Sequence, residues 1–122
     1  MEKIKRVYLE SFCIEAEVAD TFWKKARGLI LRSGLTQNGG MLFLFKKEGI
    51  IPIWMFGMRF PLDIFWINSE HTVVHIEKNV SPWRGVFYRV IWPPKPAHWL
   101  LETNAGLADT LGIHEGIKIE IR

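Results

Sequence analysis

A chain of 122 residues with a formal net charge of +3 is long enough to hold one core without disulfides or metals. Its 48% hydrophobic and 13% aromatic content excludes a disordered segment, which would lack the apolar surface needed to offset chain entropy. The positive excess is mild and sits largely at Lys3, Lys5 and Arg6 and around Lys24, Lys25, Arg27 and Arg32, with Asp and Glu interleaved elsewhere, so nucleic-acid binding is not favoured. A lone cysteine, Cys13, has no internal partner, which favours a reducing compartment.

The start of the chain is basic (Lys3, Lys5, Arg6), and Glu10, Glu15 and Glu17 break any apolar run, so a secretory leader is not expected and a cytoplasmic location is. Cys13–Val18 is the first clear element: Ile14, Ala16 and Val18 alternate with Glu15 and Glu17, as in a half-exposed strand. Asp20 or Thr21 offers an N-cap, and Trp23, Ala26 and Ile30 recur at helical spacing. That helix is expected to end near Ser33-Gly34, with Gly34 left-handed. Asn38-Gly39-Gly40 signals a turn into Met41–Phe45, a strand covered on both faces, and Lys46–Gly49 reads as a polar turn.

Ile50–Phe56 and Leu62–Ile67 are predicted strands separated by a bend over Gly57–Pro61. A membrane span here is disfavoured, because Arg59 and Asp63 would each cost about 2.5–3.5 kcal/mol near a helix centre, and Pro52, Gly57 and Pro61 weaken a helix further. After a turn at Asn68–His71, Thr72–Glu77 alternates, Val80–Val86 is a loop, and Phe87–Trp92 is a strand ended by Pro93-Pro94-Lys95-Pro96. His98–Thr103 is extended, Asn104 is placed to cap a short helix over Ala105–Leu111, and Gly112 closes it. Ile117–Ile121 alternates cleanly after a turn at Gly116. Many short strands with two short helices predict a single mainly β domain, a sandwich, jelly-roll-like or barrel-like fold.

Several separated signatures also occur in a fixed order: Ala26-Arg27-Gly28-Leu29, Arg32, Leu35, Gly40-Met41-Leu42-Phe43 with Phe45, Trp54-Met55, Pro61-Leu62-Asp63, and Leu101–Gly106 followed by Gly112 and Gly116. On these residues the chain resembles, from about Val18 to Ile121, the uncharacterised protein family numbered 0127, also called the domain of unknown function numbered 192. The resemblance implies a compact, mainly β fold of jelly-roll or sandwich type and brings no established activity, cofactor or catalytic residue. Many relatives are exported or lipid-anchored, which sets this chain, with no leader read at its start, nearer the cytoplasmic branch. Relatives often carry Lys-Asn-Thr after Trp-Met, where this chain has Phe56-Gly57-Met58; a site built on that triplet would be lost or replaced here.

Three groups of residues could carry function. Arg59 could hold an anionic group through its planar fork while Asp63 orients it; the plainer alternative has Asp63 capping backbone N–H groups at the Pro61 bend and Arg59 reaching solvent. Arg27, Arg32, Glu102 and Asn104 form a second set, in which Glu102 has no local explanation and could pair with Arg27 beside the first helix. Trp83-Arg84, Tyr88-Arg89, Trp92, Lys95 and His98-Trp99 form a third: rings mixed with cations could stack a sugar, a base or a peptide's apolar side chains, or could simply close the end of the fold. His71, His75, His98 and His114 show no metal-ligand spacing, Cys13 has no Cys–His motif, and neither a Gly-x-Ser-x-Gly elbow nor a P-loop occurs. No metal or other cofactor is therefore expected. The leading expectation is a non-catalytic module for a small molecule, peptide or sugar. An enzyme with Asp63 or Glu102 as base and Arg27 or Arg59 as anion clamp is the alternative, with weak single-stranded nucleic-acid binding as a third reading.

Overall fold

The computed structural model describes residues 3–21, 25, 28–29, 32–55, 58–82 and 90–122. In chain order these form β1 (Ile4–Leu9), β2 (Phe12–Ala19), β3 (Gly39–Gly49), β4 (Ile53–Trp54), β5 (Leu62–Ile67), β6 (Val73–Val80), β7 (Val90–Ile91), β8 (Ala97–Asn104), α1 (Leu107–Leu111) and β9 (Glu120–Ile121). Seven strands make one sheet in the order β6-β5-β8-β3-β2-β1-β9, and β4 pairs with β7 in a separate two-stranded ribbon. Every neighbouring pair in the sheet is antiparallel except β2 and β3. A parallel pair cannot be joined by a tight turn, and residues 20–38 make the long return between them.

The sheet curls into a half-barrel because its two edges meet at one end. Val73 N donates to Ile117 O at 2.9 Å, Gly116 N to Val73 O at 2.8 Å, and Ile119 N to His71 O at 2.8 Å. The segment before β9 thus touches the start of β6, while β9 itself lies on β1. One core fills the concave face, where Val7, Ile14, Leu42, Phe65, Val73 and Ile119 meet from both edges and the centre. A second core covers the convex face of the central strands, where Met41, Ile64, Trp66 and Leu100 pack under Leu29, Ile51, Met55 and Ile91. Strand parity explains the division: on β5, Leu62, Ile64 and Trp66 point outward to the cover, and Phe65 and Ile67 point inward. Both faces of β5 are therefore dry, and all six of its residues are buried. Trp66 Nε1 donates to Ile51 O at 2.8 Å, fastening the cover to the sheet.

This arrangement corrects the sandwich and jelly-roll expectation: one mixed, curled sheet carries a small cover, so two large sheets are not stacked. It also corrects three local expectations. β1 is a full strand although its sequence reads only as a basic start, because its inward residues Val7 and Leu9 are wholly buried, with Lys5 at the strand's outer end and Arg6 on the opposite face. Lys46–Gly49 is not a turn; β3 runs on to Gly49, with an irregular register to β8 beyond Leu44. The left-handed glycine in the β2–β3 return is Gly28, at φ 48, and not Gly34. The helix expected over 21–33 falls largely outside the described residues, and α1 is the helix among those that are described.

Candidate functional site

The middle row of the convex face runs Glu17, Met41, Glu102, Ile64 and Glu77, with an acid at each end and one at its centre. Cross-strand neighbours share a face, and Glu102 on β8 stands between Met41 of β3 and Ile64 of β5. It is only 6% exposed, and among the described residues no hydrogen bond or ion pair reaches its carboxyl group. Burial alone pushes this carboxyl up to about 8. Desolvation penalises the charged form, so at neutral pH Glu102 is mainly a neutral acid, able to donate one hydrogen bond and accept others.

Other polar groups lie around it on this face: Glu77 beyond Ile64, 2.7 Å from His75 Nε2, and Glu17 and Asn104. Along the same row, Glu17 of β2 pairs with Met41, two strand spacings or about 10 Å from Glu102. Arg32 grips Glu17 with both ends of its fork, Nη2 to Oε1 at 3.1 Å and Nη1 to Oε2. Two positions along β8 on the outward face, Asn104 donates from Nδ2 to Leu35 O at 3.3 Å and Thr36 O at 2.9 Å. Asn104 therefore does not cap α1, as its position suggests; Gly106, at φ 96, holds that place without a side-chain cap. It instead ties the 35–36 segment to the end of β8. Glu102 is thus walled by Met41 and Ile64, with a tied loop at one side and a neutralised ion pair beyond Met41.

Asp63 serves another purpose. It faces the concave core with no exposure; Asn79 N donates to its Oδ1 at 2.9 Å and Ala108 N to its Oδ2 at 2.8 Å. Both bonds answer a local need. β6 carries an extra residue where Leu62 pairs with Val80 and Ile64 with Glu77, and such a bulge leaves a backbone group without its ladder partner. Asn79 sits there at φ 51. The N–H of Ala108, near the start of α1, has no earlier carbonyl within the helix. Asp63 is a long-range cap for both, instead of capping the adjacent Pro61 bend.

Arg59 lies exposed before that bend, and among the described residues no salt bridge joins it to Asp63. Of the two readings of these residues the plainer one, with Arg59 towards solvent and Asp63 on backbone N–H groups, matches the geometry, apart from which N–H groups Asp63 takes. Asp63 and Glu102 point to opposite faces of the sheet, so these carboxyl groups do not share a site. The third set of residues does not converge among the described residues. Trp92 stands 66% exposed beside the cover ribbon. Trp99 packs against the concave core, edge-on to His71 and His98 with ring centroids 6.0 and 5.7 Å away. Arg27, Trp83, Arg84, Tyr88 and Arg89 lie outside the described residues. No cluster of three or more metal-ligating side chains occurs among the described residues, nor any helix long and apolar enough to cross a membrane. The Glu17–Arg32 pair is not legible in the sequence; the alternation of Cys13–Val18 shows Glu17 pointing outward, but nothing local names its partner.

Comparison with known proteins places this geometry in context. The DUF192 family profile, described as uncharacterized ACR, matches residues 6–121. The UPF0127 protein of Thermococcus gammatolerans is 34% identical over 102 residues, covering 82% of this chain and 61% of that protein. The UPF0127 protein of Pyrococcus abyssi is 31% identical over 108 residues, covering 87% of this chain and 85% of its own. The chain thus spans about 61% of the length of the Thermococcus relatives. Among solved structures, a protein of unknown function from Novosphingobium aromaticivorans superposes with a TM-score of 0.85 at 30% identity, over 98% of this chain and 84% of that one. A Sinorhizobium meliloti protein, provisionally named a transcription regulator, superposes with a TM-score of 0.87 at 27% identity, over 99% of this chain and 94% of that one.

Proposed function

The chain belongs to the DUF192 family, numbered UPF0127 among its relatives, and from that premise we propose that it is a non-catalytic binding module with Glu102 as the polar anchor for a small molecule, sugar or peptide. The observation that carries this reading is the buried carboxyl of Glu102 with no partner among the described residues. Leaving such a group unsatisfied costs about 1–3 kcal/mol, and none of the described residues offsets that cost with a bond to Glu102. A ligand amide or hydroxyl would recover it, since the neutral acid offers a donor and acceptors together. Asn104 and the Arg32–Glu17 pair support the walls of the same region.

The paired-carboxylate enzyme is the weaker reading, because Asp63 spends both oxygens on backbone donors across the sheet. The regulator name of the Sinorhizobium structure extends to this chain only as a suggestion that ligand binding serves regulation. Titrating the full chain with a panel of small amides, monosaccharides and short peptides, followed by NMR, tests the proposal. A binding member of the panel is expected to shift the signals of Met41, Ile64 and Asn104, and Glu102→Leu to weaken it about tenfold, the worth of one good hydrogen bond. If no panel member perturbs these residues, or if the leucine variant binds equally well, Glu102 is not an anchor.

A further inference from the structure

Beyond the cover, Ile4 and Arg6 of β1 stand exposed on the convex face. Pairing there continues one residue past β9: Arg6 N donates to Arg122 O at 3.0 Å, and Arg122 N to Arg6 O at 2.8 Å. The two arginines are a directly opposed, doubly hydrogen-bonded pair, so their side chains leave the same face. Like charges in that position are destabilising.

Only one of them is relieved. Arg122 donates from Nε to Glu120 Oε1 at 2.9 Å, and its guanidinium lies 5.0 Å from the centre of the Tyr8 ring. Arg6 makes no ion pair among the described residues, although Glu15 is its cross-strand neighbour on β2. Arg6, Arg122, Ile4, Tyr8 and Glu15 line an open groove of about 470 Å³. Ile4 and Tyr8 flank Arg6 along β1 on its own face, because residues two apart point the same way, and Ile4 is 54% exposed.

We infer that this groove binds an organic anion, a carboxylate or phosphate monoester carrying an aliphatic or aromatic body, between the guanidinium groups of Arg6 and Arg122. An anion there satisfies the unused donors of both forks and removes their mutual repulsion. The apolar body rests on Ile4 or Tyr8, and Glu15, the neighbour of Arg6 on β2, offsets part of the attraction for the anion. This site is separate from Glu102, three strands away, and stands without it.

Titration of the full chain with phenyl phosphate, inorganic phosphate and phenol, read by NMR at low salt, tests the inference; a short peptide ending in a phosphorylated tyrosine distinguishes a peptide source from a free metabolite. Phenyl phosphate is expected to shift Arg6, Tyr8 and Arg122 saturably, more tightly than inorganic phosphate, while phenol does nothing. Tighter binding by the peptide assigns the anion to a protein partner, and tighter binding by phenyl phosphate assigns it to a small molecule. Arg6→Ala, an exposed change that leaves both cores intact, is expected to weaken binding about fivefold, the upper end for one exposed ion pair, and Glu15→Gln to strengthen it. The inference is overturned if phenol matches phenyl phosphate, if inorganic phosphate binds as tightly, or if Arg6→Ala binds as the parent does.

Discussion

Glu102 ties folding stability to pH. Its carboxyl ionises near 8 in the folded chain, against an ordinary value of 4.5. Between those values the folded state holds a proton that the unfolded chain has released. Stability is therefore fully present below about pH 4.5, falls as pH rises towards 8, and levels off above it. The whole fall is on the order of 5 kcal/mol, at roughly 1.4 kcal/mol for each tenfold difference in proton affinity between the folded and unfolded chains. Glu102→Gln is expected to lose this slope and to exceed the parent's stability above pH 8; urea unfolding at several pH values, compared between the two chains, checks it. An equal slope in both would place the titrating group elsewhere. That Glu102 needs an explanation is legible in the sequence, because an acid interrupts the apolar run Trp99–Leu101 and no capping role fits it. Its isolation is not legible, since only the register of β3, β8 and β5 places it between Met41 and Ile64. Asp63 teaches the complementary point: its two bonds reach Asn79 and Ala108, far along the chain, whereas local reasoning looks to Pro61.

The central strands are held close by β3 and β8, and Gly40 marks the tightest approach. A Cβ at Gly40 would lie 2.8 Å from the backbone oxygen of Glu102 and 2.9 Å from Ile14 Cγ2. The backbone atom cannot swing aside as a side-chain tip can. Gly40→Ala is expected to cost about 1–3 kcal/mol through overpacking and to disturb the register at Thr103, its partner on β8. Denaturation midpoints and the backbone shifts of β8 measure both effects. Element by element, the apolar run Leu62–Ile67 reads with its observed bounds, since a dry strand needs only hydrophobic continuity. Lys46–Gly49 misleads because an exposed strand end is as polar as a turn, and β1 because its alternation is hidden among Lys3, Lys5 and Arg6.

Closure of the half-barrel is a property of the whole molecule. Ile119, 7% exposed, brings the last segment into the concave core while its N–H bonds His71 on the opposite edge. Ile119→Ala is expected to cost about 2–4 kcal/mol, as for other buried aliphatic truncations. Faster amide exchange should then appear together at Val73, Gly116 and Ile119; loss confined to Ile119 would mean that the edges are tied independently. An opened edge also presents unpaired backbone groups, a route to aggregation. The curl itself is beyond sequence reading, because the alternation of Ile117–Ile121 shows a strand but not which two edges it joins.

The pairing of Arg6 with Arg122 sets how the molecule bears mechanical load. β1 and β9 run antiparallel, and residues 4 and 122 emerge on the same side of their shared ladder. Tension applied through those two points peels the pairs in turn, Arg6 from Arg122 first and Val7 from Ile121 next, instead of shearing them together. Pulled this way, the fold unzips from its convex rim, and the rim yields long before the dry strands at the centre feel the force.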